Sequence, residues 1–116
     1  MLLWWHADDQ RLSGRAREAM ERPGAALYFS AASIWELAIK QARGKLEMPG
    51  SLLDTLAEEK IEELKISSAH ALRAGGLAHH HRDPFDRMLI AQAQVEGMTL
   101  LTGDGQCAAY DVALLW

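Results

Sequence analysis

The chain has 116 residues, with 16 acidic against 12 basic side chains and a net charge of −4. At 49% hydrophobic and 24% charged it has the balance of a globular domain, which excludes a disordered polyelectrolyte. The acidic excess argues against coating nucleic acid by charge alone, and no apolar run approaches the roughly 18 residues of a membrane span. The length suits one domain, 1–116. The amino-terminal residues lack the basic leader and cleavage site of a secretory signal. The single cysteine, Cys107, closes no internal disulfide, which fits a reducing, cytoplasmic setting.

Residues 2–7 are a short apolar segment, expected to be helical and closed by Asp8 and Asp9. Ser13 is expected to cap a helix to about Met20 with Ala16, Ala19 and Met20 inward. Pro23 and Gly24 stop it. Residues 25–29 are a continuous apolar run, expected as a buried strand. A helix opens within 30–33, with Ile34, Leu37, Ala38 and Ala42 as its inner stripe and Gly44 near its end.

Pro49 and Gly50 make a turn. Residues 52–63 are predicted as an amphipathic helix with Leu53, Leu56, Ala57 and Ile61 inward. Residues 64–66 are a short strand candidate. Ser67 or Ser68 caps a helix that Gly75 and Gly76 end. Residues 79–82 form a polar loop. Asp83-Pro84 is a strong helix start, a capping side chain followed by proline at the first helical position, and predicts a helix over 84–96 with Gly97 at its end. Strands are expected at 98–102 and 112–115.

Strands alternating with helices imply an α/β fold with a parallel sheet. In such sheets ligands bind beyond the carboxyl ends of the strands. Three carboxylates fall there. Glu36 lies in the helix after the 25–29 strand, Asp86 in the first turn of the 84–96 helix, and Asp104 just past the 98–102 strand. Hard cations such as Mg²⁺ and Mn²⁺ take a few carboxylates plus waters. Such ions activate water and neutralise charge on a phosphodiester in transfer.

Each residue also has an ordinary reading. Ser33 and Glu36 match a capping box, Asp86 suits a helix dipole, and Asp104 between glycines suits a turn. Arg82 and Arg87 flank the carboxylates, either to hold phosphates or as solvated side chains. His79, His80 and His81 are consecutive and cannot readily converge on one ion. Lys40, Arg43 and Lys45 read as solvated helix-end charge. Trp4, Trp5, Trp35 and Trp116 sit among aliphatics and are expected in a core or interface.

Three segments resemble the PIN-domain ribonucleases of the VapC toxin type. They are Ser30-Ala31-Ala32-Ser33-Ile34-Trp35-Glu36-Leu37-Ala38-Ile39-Lys40, then the run from His80 through Asp83-Pro84-Phe85-Asp86-Arg87-Met88-Leu89-Ile90-Ala91 to Ala93, then Leu100-Leu101-Thr102-Gly103-Asp104 followed by Ala108-Ala109-Tyr110. The resemblance covers nearly the whole chain and implies a PIN-like parallel sheet with helices on both faces. It implies a metal-dependent endoribonuclease using Mg²⁺ or Mn²⁺, the toxin of a type II toxin–antitoxin system. It further implies a homodimer and a groove near the 52–64 helix and the N-terminal helices that takes a cognate antitoxin.

By position the resemblance makes Glu36, Asp86 and Asp104 the catalytic metal ligands. Asp83 becomes a capping neighbour and Thr102 a small polar residue near the site. One departure stands out. In relatives, Leu-Leu-Trp-Trp follows a strand ending in Leu-Asp-Thr-His, whereas here Met1 stands directly before Leu2. The family's first metal aspartate and central strand are therefore expected to be missing through truncation. The alternative function is a catalytically inactive PIN-like protein that dimerises and binds an antitoxin. A flavodoxin-like phosphoacceptor fits less well, for want of a lysine after the last strands.

Overall fold

A computed structural model describes residues 2–4, 14–44, 50–79, 83–102 and 105–116. In chain order the elements are β1 (Leu2–Trp4), α1 (Gly14–Glu21), β2 (Leu27–Ser30), α2 (Ala31–Ala42), α3 (Leu52–Glu58), β3 (Glu62–Leu64), α4 (Ser68–Gly76), α5 (Pro84–Glu96), β4 (Thr99–Leu101), a 3₁₀ turn (Gly105–Ala109) and β5 (Leu114–Leu115). The strands form one sheet in the order β3-β2-β1-β4-β5, and every pairing is parallel. The expected α/β architecture is what the chain adopts.

The expectation of a missing central strand is corrected. Leu2–Trp4 is a strand rather than the start of a helix, and it fills the middle of the sheet. Leu3 is in register with Tyr28 on one side and Leu100 on the other, and it is fully buried. Periodicity cannot tell a short apolar run in a strand from one in a helix. The place between two parallel strands satisfies its backbone donors and acceptors on both edges, and this decides the outcome.

Side chains alternate across a strand, so the two faces carry separate cores. Leu3 and Leu100 pack with Leu89, Ile90, Ala93, Met98, Cys107 and Tyr110. Phe29 turns to the other face, where it meets Leu56 of α3 and Ile61. Helices thus cover both faces. Cys107 is a buried free thiol and serves as a small core hydrophobe.

Cap chemistry sets several helix ends. The Asp83 side chain accepts from the Phe85 N–H at 2.9 Å, Pro84 follows, and Gly97 closes α5 in the left-handed conformation at φ 67°. Ser67 caps α4 in a reciprocal box with His70. α3 ends earlier than expected, because Lys60 adopts φ 60°. Leu53 and Ala57 face outward while Leu56 and Ile61 are buried. The inner stripe of α2 also differs from the expected one. Ala38 and Ala42 are exposed, and Ala32, Ser33, Glu36 and Leu37 are the buried residues. Among the described residues, no helix is long and apolar enough to cross a membrane.

Candidate active site

β2 ends in Ser30, and this residue both closes the strand and caps α2. Its hydroxyl accepts from the Ala32 N–H at 3.0 Å and donates to Gln92 Oε1 at 2.5 Å. Both Ser30 and Gln92 are fully buried. Gln92 Nε2 donates to the Lys65 carbonyl at 3.5 Å and lies 3.4 Å from His70 Nδ1. That Nδ1 accepts from the Ser67 N–H at 3.0 Å. Nε2 of the neutral ring therefore carries the hydrogen and donates to Glu96 Oε2 at 2.8 Å. A single amide on α5 ties the caps of α2 and α4 together.

The helix starts at Ala31, so Glu36 is its sixth residue and stands beyond the capping positions. The Ser33–Glu36 capping box is corrected on this ground. Glu36 is buried at 7% exposure, with Lys40 Nζ 3.5 Å from its Oε2 one turn on. Lys40 is thus half of a pair rather than part of a solvated patch. Ser33 shares this helix face with Glu36 at i, i+3. Its hydroxyl is buried without a hydrogen-bond partner among the described residues.

Asp86, the third residue of α5, is 5% exposed. Trp35 and Phe85 immediately precede Glu36 and Asp86. Their rings pack edge to face, with centroids 5.2 Å apart and planes at 74°. This contact joins the parts of α2 and α5 that carry the carboxylates. Thr102, just past β4, is 4% exposed, and its N–H donates to the Leu115 carbonyl at 3.2 Å. Asp104 and Arg82 lie outside the described residues, as do Trp5, Ser13, Lys45, His80 and His81.

Buried carboxylates are costly unless paired or bound to metal. Those of α2 and α5 offer oxygen donors, and the orphaned Ser33 hydroxyl adds a polar wall. This donor chemistry fits a hard divalent cation. Among the described residues no group of three His, Cys, Asp or Glu side chains converges. Glu36 and Asp86 are two of the three carboxylates expected.

The PIN-domain family model matches residues 1–113 of the chain. The chain belongs to the PIN-domain family. Its VapC type follows from a second comparison. Ribonuclease VapC22 of Mycobacterium tuberculosis (strain ATCC 25618 / H37Rv) is 37% identical over 105 residues, which cover 87% of this chain and 79% of the relative. The crystal structure of FitAcB from Neisseria gonorrhoeae shares the fold, with a TM-score of 0.61 at 20% identity over 100% of this chain and 97% of that one.

In this PIN domain Arg87 is not where a phosphate contact was expected. Its guanidinium donates to the carbonyls of Ala74 (3.0 Å), Leu77 (3.0 Å) and Ala78 (2.9 Å), with Tyr110 Oη at 3.4 Å. Tyr110 Oη itself donates to the Ala78 carbonyl at 2.6 Å. Arg87 points one helical step away from Asp86 and anchors the carboxyl end of α4, where cations favour the exposed carbonyls. Arg87→Ala should cost about 2 kcal/mol in urea unfolding, since hydrogen bonds to charged groups contribute roughly 1.5–3 kcal/mol. Arg87→Lys should recover only part of this, because an ammonium cannot span the same fork of acceptors.

Gln92 and His70 were absent from the expected site. A signal was available, because Gln92 is a polar residue three positions after Leu89 inside the apolar stripe of α5. Ser30→Ala removes both a cap and the donor to Gln92. Its expected cost is about 1.5–5 kcal/mol, combining roughly 0.5–2 for the cap with about 1–3 for the buried acceptor left behind. Denaturant unfolding, with faster amide exchange in the first turn of α2, checks this.

Proposed function

We propose that this PIN domain is a metal-dependent endoribonuclease that hydrolyses RNA phosphodiesters, acting in the cytoplasm as the toxin of a type II toxin–antitoxin system. What carries this reading is two buried carboxylates, Glu36 of α2 and Asp86 of α5, on helices joined beside them by the Trp35–Phe85 ring contact. The 37% identity to a ribonuclease supports it. Glu36, Asp86 and Asp104 would hold Mg²⁺ or Mn²⁺. When bound, the cation supplies positive charge against the phosphodiester and acidifies water for attack. Ser30 and Gln92 keep the start of α2 in place, so Glu36 is held without paying for order at each turnover. Thr102 stands just past β4, and Arg82 is the remaining arginine for the phosphate. In this reading the protein is a homodimer held in check by its cognate antitoxin.

One observation favours a second reading. The central strand β1 is Leu2-Leu3-Trp4 and carries no carboxylate, whereas the family resemblance implies a central strand that carries the first metal aspartate. A catalytically inactive PIN domain that dimerises and binds an antitoxin would need no such residue. Incubating the purified protein with RNA and Mn²⁺ separates the two. The nuclease reading expects fragments that excess EDTA abolishes and added Mn²⁺ restores. Cleavage that survives the chelator would overturn metal dependence. A folded protein that leaves RNA intact would favour the second reading.

A further inference from the structure

Trp35 is a large apolar side chain that α2 leaves outside the core, with 63% of it exposed. It is nevertheless fixed in place by its edge-to-face contact with Phe85. The pair stands on the same two helix segments as Glu36 and Asp86, one residue before each carboxylate. We propose that the exposed indole of Trp35 is a stacking platform for one nucleobase of single-stranded RNA, next to the phosphodiester that is cut. This inference rests on the nuclease reading above.

Charge argues for a base rather than a phosphate as the main contact here. The chain carries a net charge of −4. Arg87 is engaged on the carboxyl end of α4, and Lys40 lies against Glu36. Among the described residues, neither Arg87 nor Lys40 is therefore left to neutralise the phosphate backbone, the usual source of affinity for RNA. Stacking needs no charge, and every base has a π-face to offer. An indole already held by Phe85 loses little conformational freedom when a base covers it.

The test measures binding of a short, mixed-sequence, fluorescein-labelled single-stranded RNA by anisotropy, in EDTA to prevent cleavage. Trp35→Ala should weaken binding roughly 5- to 150-fold, the equivalent of about 1–3 kcal/mol, and the KM for RNA should rise in step. Trp35→Phe should keep most of the affinity, because an aromatic face remains. Affinity for a fully paired duplex should not depend on residue 35, since its bases are already stacked. Trp35→Ala binding single strands as tightly as wild type would overturn the proposal while leaving the nuclease reading intact. A Trp35→Ala protein with unchanged RNA affinity and an altered sedimentation coefficient would assign the indole to a second copy instead. Wild type that neither binds nor cuts RNA would overturn both.

Discussion

Asp86→Asn is expected to lower metal-dependent RNA cleavage by at least about 100-fold while the protein stays folded. The side chain is 5% exposed in the first turn of α5, and the substitution preserves its shape while removing its charge. Changing residues that only support a metal ligand costs about 10–100-fold, so loss of a ligand should reach or pass the upper end. The effect on stability should stay within about 1 kcal/mol. The amide loses roughly 0.3–1 kcal/mol of attraction to the helix dipole, but relieves a buried charge. Glu36→Gln should behave alike, with Lys40 left beside a neutral group. Initial cleavage rates with Mn²⁺, set beside thermal melts, test both. Near-wild-type rates in either variant would remove that carboxylate from the site.

Leu3→Ala should be among the most destabilising single truncations, at about 2–5 kcal/mol against a domain stability of roughly 5–15 kcal/mol. Leu3 is fully buried in the central strand and belongs to the larger core. Removing it opens space between α5 and the sheet, with strands on both sides holding the backbone in place. Leu72 of α4 is 79% exposed, so Leu72→Ala should change stability by no more than about 0.5 kcal/mol. Urea unfolding of the two variants makes the comparison. A Leu3 effect as small as that of Leu72 would show that Leu2–Trp4 does not hold the centre of the sheet.

Local chemistry made much of this fold legible. Asp83-Pro84 and Gly97 mark the bounds of α5, because each satisfies or closes a helix end with atoms a few residues away. Ser67 announces α4 in the same way. The alternation of apolar strands with capped helices was enough for the parallel sheet, and the carboxyl-edge rule then singled out Glu36 and Asp86.

Tertiary contact decided the rest. Leu2–Trp4 carries an apolar pattern that suits helix or strand, and only the slot between β2 and β4 selects one. Ser33 and Glu36 look locally like a capping box. The helix starts earlier because Ser30 at the end of β2 is its cap, and the hydroxyl that caps it is held by Gln92, 62 residues away. Arg87 neighbours Asp86 in sequence, yet the next helical step aims it at the carbonyls of α4. A cap or turn is satisfied by its own neighbours, so sequence alone determined those. A strand's edges, a buried amide and an arginine fork take their partners from distant segments, and only the assembled structure could supply them.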